Sequence, residues 1–125
     1  MTQILVIDDD VQICRLIKQM LESEGFGVTV ASNGQEGLES LSHQAVDLVI
    51  TDIFMPEKEG LETITDLRRK FPEIKIIAVS GGGRSGSIEY LSMAQKLGAV
   101  KTLLKPFSKR ELLLTLTEAG ITKPS

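Results

Sequence analysis

The sequence predicts an α/β protein built on a doubly wound, five-stranded parallel sheet in the order 2-1-3-4-5. Three observations carry this reading. Short β-branched apolar runs recur along the chain, helical apolar stripes separate them, and two of the five runs are more polar than the rest. Strands covered by helices on both faces read as near-continuous apolar runs, whereas edge strands keep one side nearer water.

The first run is Ile4 to Ile7, the third Val46 to Ile50 (broken by Asp47) and the fourth Ile74 to Val79 (broken by Lys75). These three are expected to be central. The polar runs, Val28 to Ala31 and Val100 to Leu104, are expected at the two edges. Between them, Ile13, Leu16, Ile17, Met20 and Leu21 mark the first helix. Residues Gly34 to His43 supply a second, with Leu38 and Leu41 inward. Leu61, Ile64 and Leu67 mark a third. Ile88, Leu91, Ala94 and Leu97, with Tyr90 and Met93 nearby, mark a fourth, and Leu112, Leu113, Leu116 and Ala119 a fifth. Ser108 stands three residues before Glu111, the spacing of a capping box, so the last helix is expected to begin there. Right-handed crossovers between parallel strands then place helices on both faces.

With 125 residues, 42% hydrophobic and 25% charged, the chain has the size of one domain, expected to span 1–125 with its core over about 3–119. A net charge of -3, from 14 Lys+Arg against 17 Asp+Glu, gives no electrostatic footing for direct nucleic-acid binding. No apolar run approaches the roughly 18 residues needed to span a bilayer, and Met1-Thr2-Gln3 runs straight into the first strand without a leader pattern. The expected location is cytoplasmic, without membrane binding. The lone Cys14 reads as a small apolar filler.

In a sheet of this order the winding reverses between strands one and three, and ligands bind beyond the carboxyl ends there. The sequence puts Asp8-Asp9-Asp10 and Asp52 at that place. Gathered carboxylates repel one another unless a cation or proton intervenes. Oxygen ligands suit Mg²⁺, with Mn²⁺ as the alternative, better than zinc; His43, the single histidine, stands at a helix end away from the site. Asp10 is expected mainly to cap the first helix. Asp52 is not explained as a cap, because Pro56 and Gly60 point to several loop residues before the next helix. Ser80 and Lys105 close the fourth and fifth runs and bring a hydroxyl and a cation to the same end. Together they make sense around an arriving anion, such as a phosphoryl group on Asp52.

These residues closely resemble the receiver domains of two-component response regulators. The resemblance runs through Ile4 to Asp10, Asp52 with Met55-Pro56 and Gly60, Ser80, Leu97-Gly98-Ala99 and Lys105-Pro106-Phe107. It implies a flavodoxin-like receiver architecture with Asp52 as phosphoacceptor. Asp8 and Asp9 would be the acidic metal pair, and the Phe54 carbonyl and Asp52 further ligands. Ser80 and Lys105 would be the hydroxyl and lysine that engage the phosphoryl group. It further implies a cis Lys105-Pro106 bond, Mg²⁺-dependent self-phosphorylation from a donor, and self-dephosphorylation, without metabolic turnover. The implied partners are a sensor histidine kinase or phosphotransfer protein, and an output protein or fused effector domain contacted through the fourth helix, fifth strand and fifth helix. Tyr90, Lys101 and Leu114 are the candidates on that face, and a phosphorylation-dependent homodimer is left open.

Two departures stand out. Thr102 occupies a position that is commonly aromatic in the family, so the aromatic part of the output signal is expected to be absent or carried elsewhere. Phe54 is bulky beside the acceptor and is expected to slow self-dephosphorylation by hindering water. Gly81-Gly82-Gly83 and Gly86 after Ser80 would let that segment rearrange. The alternatives are a pseudo-receiver or binding module that keeps the fold without accepting phosphate, and a Mg²⁺-dependent phosphohydrolase, for which the chain leaves little room for a substrate cap. A nucleotide-binding module lacks both G-x-G-x-x-G after the first strand and G-x-x-x-x-G-K-[ST].

Overall fold

The computed structural model describes residues 2–53, 60–81 and 87–122. Strands and helices alternate: β1 (Gln3–Ile7), α1 (Val11–Glu22), β2 (Gly27–Ala31), α2 (Gly34–His43), β3 (Leu48–Asp52), α3 (Gly60–Lys70), β4 (Lys75–Gly81), α4 (Ser87–Leu97), β5 (Lys101–Lys105) and α5 (Lys109–Glu118). All neighbouring strands pair in parallel, in the order β2-β1-β3-β4-β5. The two polar runs are the edges, as their composition predicts. β3, β4 and β5 run on to Asp52, Gly81 and Lys105, so Asp52, Ser80 and Lys105 belong to the ends of the ladder and not to the loops beyond.

The sheet separates two apolar layers. Ile4, Val6, Ile50, Ile77 and Val79 face α1 and α5, packing on Ile17, Leu21, Leu112 and Leu116. Leu5, Ile7, Val49, Ile76 and Ala78 face the other way, onto Leu41, Ile64, Leu67, Leu91 and Ala94. This alternation is the period-2 geometry of a strand buried on both sides.

Caps fix where the helices begin. The Asp10 carboxylate accepts from the backbone N–H groups of Gln12 and Ile13 at 2.9 and 3.3 Å, which is the capping role expected of it. Asn33 caps α2, and Ser108 with Glu111 forms the full reciprocal capping box on α5. The Lys105-Pro106 bond is cis.

Three residues depart from the expected inward stripes: Leu16 on α1 and Ile88 and Leu97 on α4 are exposed. On α1, Cys14 takes the inward place that the pattern gave to Leu16. α4 is tethered only through Leu91 and Ala94, so positions three residues before and after that pair turn out of the layer.

Arg68 was not visible in the pattern. Its guanidinium donates to the carbonyl oxygens of Pro72, Ile74 and Gly98 at 2.6, 2.9 and 3.2 Å, tying the turn before β4 to the end of α4. A cation placed over chain segments that leave helices satisfies carbonyls without partners of their own. Gly98, at φ +129, leaves the room this needs, for a Cβ there would lie 2.8 Å from Arg68 Nε.

Candidate functional site

At the carboxyl end of the sheet, β1 delivers Asp8, β3 delivers Asp52, β4 delivers Ser80 and β5 delivers Lys105. Asp8, Asp52 and Ser80 are buried, and Asp9 is exposed at the rim. Carboxylate oxygens of Asp8, Asp9 and Asp52 all lie within 4.8 Å of one another. Lys105 Nζ reaches in from the far edge strand to donate to Asp8 Oδ2 at 2.7 Å and Asp52 Oδ2 at 3.4 Å.

The backbone holds these groups in place. Asp8 Oδ1 accepts from the Asp10 N–H at 2.9 Å, so one oxygen is fixed by the turn into α1 while the other faces Lys105. Beneath Asp52, the Ile53 N–H donates to the Val79 carbonyl at 3.0 Å, continuing the ladder past Asp52. Gly60 then brings α3 directly against this backbone. A Cβ at residue 60 would overlap the Ile53 Cα and the Asp52 carbonyl oxygen, which explains a glycine at the start of that helix.

The charges are unbalanced. Burial pushes the Asp8 carboxyl above its ordinary value, only partly opposed by the hydrogen bonds from Lys105 and the Asp10 N–H. Burial would lower the Lys105 ammonium, but the hydrogen bond to Asp8 and the charge of Asp52 outweigh it and hold the group above its ordinary value. Three carboxylates with one ammonium formally leave two negative charges, which is what a divalent cation with oxygen ligands would offset. The acidic cluster is thus capable of holding a divalent metal.

Ser80 Oγ completes the arrangement. It is fully buried and has no hydrogen-bond partner among the described residues. Buried hydroxyls without partners are uncommon and point to strain or to a group that arrives later. Phe54, expected to give a carbonyl ligand, lies outside the described residues, as do Met55, Pro56, Gly82, Gly83 and Gly86.

A groove away from these residues gathers different side chains. Of about 940 Å³ and lined by Leu41, His43, Val46, Phe71, Ile74 and Ile121, it opens at the amino ends of the strands. It contains none of Asp8, Asp9, Asp52, Ser80 or Lys105, so the chemistry locates the candidate site at the other end of the sheet. His43 lines that groove, away from the acidic cluster, as its helix-end position predicts.

Comparison with known proteins decides the family, because the response regulator receiver domain model matches residues 4–117. The chain belongs to this family. It is a phosphorylation-competent receiver of two-component signalling. A receiver domain protein from Clostridium thermocellum is 32% identical, with a TM-score of 0.86 over 95% of this chain and 94% of that one. Transcriptional regulatory protein CpxR of Klebsiella pneumoniae subsp. pneumoniae is 36% identical over 90% of this chain and 47% of its own length. Transcriptional regulatory protein ZraR of Klebsiella oxytoca is 35% identical over 93% of this chain and 26% of its own length. The receiver thus spans between about a quarter and a half of these curated relatives. Among its described residues, no helix is long and apolar enough to cross a membrane.

Proposed function

We propose that Asp52 accepts a phosphoryl group from a partner histidine kinase, a phosphotransfer protein or a small phosphodonor, and that the acyl phosphate changes the protein contacts of this receiver. The observation that carries the reading is a buried carboxylate flanked by the Lys105 ammonium and by a buried hydroxyl without a hydrogen-bond partner among the described residues.

Each residue has a distinct task. An Asp52 carboxylate oxygen attacks phosphorus in line as the donor's leaving group departs. Lys105 already spans Asp8 and Asp52 and so stands where charge on the transferring oxygens develops. Ser80 donates a hydrogen bond to a phosphoryl oxygen and gains the partner its hydroxyl lacks among the described residues. Asp8 and Asp9, with Asp52 and the Phe54 carbonyl, would hold Mg²⁺ or Mn²⁺. Bound there, the ion supplies positive charge to the phosphoryl oxygens. Self-phosphorylation and self-dephosphorylation belong to this site, and no metabolic turnover is assigned to it.

The receiver unit is proposed to occupy the chain with its core over about 3–119, to work in the cytoplasm, and to act through an output protein or a fused effector domain. The partial coverage of the transcriptional regulators favours an effector in at least some relatives. The test is intact mass after incubation with a small phosphodonor, with and without Mg²⁺. One added phosphoryl group is expected, suppressed by chelator and absent from Asp52→Asn. Equal uptake by Asp52→Asn would refute the assignment, and no uptake by the unaltered protein would favour the pseudo-receiver reading.

A further inference from the structure

Thr51 carries a fully buried hydroxyl among apolar neighbours. It stands in register between Ile7 of β1 and Ala78 of β4. Strand alternation puts it on the same face as Val49 and Ile53, which belong to the apolar layer under α3. A valine would fill such a position without burying a polar group, and a buried hydroxyl is costly unless it is hydrogen-bonded. Thr51 Oγ1 donates to the carbonyl oxygen of Asp52 at 3.0 Å.

That bond completes the fastening of one peptide unit. The Ile53 N–H points to β4 and donates to the Val79 carbonyl at 3.0 Å. In a trans peptide the C=O and N–H point opposite ways, so the Asp52 carbonyl turns away from β4, toward the side of β1. The β1–β3 register ends there, at Ile7 and Thr51, while β3 and β4 stay paired through Asp52 and Val79. The Thr51 hydroxyl thus meets a carbonyl that has run past the end of one ladder. With both of its polar ends bonded, the 52–53 peptide plane resists rotation. This steadies the strand end that presents the Asp52 carboxylate to Asp8, Asp9 and Lys105.

We propose that Thr51 is a positioning residue for phosphoryl acceptance, its hydroxyl locking the backbone of Asp52 so that the carboxylate meets metal and phosphorus from a fixed place. The inference rests on Asp52 as acceptor and adds a residue that never touches the reacting atoms. Alternation turns the Thr51 side chain to the opposite face of the strand from the Asp52 carboxylate, so it acts through the main chain alone. Misplacing a reacting group by about 1 Å slows a reaction by up to ~10²-fold. Losing a hydrogen bond behind a metal ligand weakens metal binding roughly tenfold or more.

The experiment compares Thr51→Val, which keeps the shape and loses the hydroxyl, with Thr51→Ser, which keeps the hydroxyl and loses a methyl group. Circular dichroism confirms folding of each variant. Mg²⁺ alone is titrated by calorimetry, phosphoryl uptake from a small phosphodonor is followed by intact mass, and amide hydrogen exchange is read at Ile53 against Ile50. Thr51→Val is expected to bind Mg²⁺ roughly tenfold more weakly and to take up the phosphoryl group roughly tenfold more slowly. Its exchange rises at Ile53 more than at Ile50. Thr51→Ser restores each readout towards the original, despite the small cavity it opens. A role confined to packing gives the reverse order, with serine the worse variant, and overturns the proposal. So does a Thr51→Val protein that binds Mg²⁺ as tightly as the original. Failure of the acceptor reading looks different: the unaltered protein then takes up no phosphoryl group, and Mg²⁺ affinity with Ile53 exchange decides the role of Thr51. An unaltered protein that neither binds Mg²⁺ nor takes up phosphoryl overturns both together.

Discussion

The two ends of one sheet gather different chemistry. At the amino ends of the strands lies a groove of about 940 Å³, lined by Leu41, Val46, Phe71 and Ile74 beside His43 and Lys75. At the carboxyl ends three carboxylates, one ammonium and one buried hydroxyl converge from four strands. Both ends are made by the same ladders. The difference is that the winding of the sheet reverses beside β1 and β3 at the carboxyl end, which opens a crevice between loops. Charge held there at a cost in desolvation points to a task, whereas the charged residues lining the other groove, Asp47, Lys70, Glu73 and Lys75, all keep access to solvent.

The contrast is most readily broken at Lys105. Lys105→Ala leaves Asp8 and Asp52 buried without their cation, which is expected to cost about 3 kcal/mol in urea unfolding. Adding Mg²⁺ is expected to return part of that loss, since a ligand that binds only the folded state stabilises it. His43→Ala at the opposite end is expected to stay within about 0.5 kcal/mol and to leave phosphoryl uptake unchanged. Comparable losses at the two ends would erase the distinction.

Gly60→Ala comes next. The new Cβ would meet the Ile53 Cα and the Asp52 carbonyl oxygen, so backbone must move beside Asp52. A loss of about 1–3 kcal/mol is expected, together with slower phosphoryl uptake measured by intact mass over time. Unfolding unchanged from the original protein would show that α3 does not press on the site.

Cys14 sharpens the comparison through pH. Its Sγ donates to the Asp8 carbonyl oxygen at 3.3 Å, and burial, with the nearby charge of Asp8, pushes the thiol from 9.0 up to about 11. Between these values the unfolded chain releases the thiol proton and the folded chain keeps it. The stability this contributes is therefore present below pH 9.0 and is lost as the pH rises toward about 11. Urea midpoints should fall over that window in the original protein and fall less in Cys14→Ala. Alkylation of the folded protein near pH 8 should be much slower than that of the unfolded chain, and equal rates would contradict the burial argument.

The smallest effect on stability is expected at Ser80. Its hydroxyl has no hydrogen bond to lose among the described residues, so Ser80→Ala should change unfolding by under about 1 kcal/mol while altering phosphoryl uptake or lifetime. A large stability loss with unchanged phosphoryl kinetics would make Ser80 a structural residue.

Most of this architecture was legible from the residues. The apolar runs set the central strands, the polar runs Val28 to Ala31 and Val100 to Leu104 set the edges, and the order of winding located Asp8, Asp9 and Asp52 before any contact was known. The Ser108 and Glu111 spacing marked a helix start because a capping box is local in sequence. What escaped were features set by distant backbone. Arg68 bonds only carbonyl oxygens, which leave no trace in side-chain pattern. Ile88 and Leu97 fit an inward stripe by spacing, but the layer beneath α4 takes in only Leu91 and Ala94.

The most direct test of the acceptor assignment locates the phosphoryl group itself. An acyl phosphate on an aspartate is reduced by borohydride, converting that residue to homoserine, and peptide sequencing then reads the position. The account predicts homoserine at residue 52 alone, formed only when phosphodonor and Mg²⁺ were both supplied. Conversion at Asp8 or Asp9, with residue 52 recovered as aspartate, would contradict it.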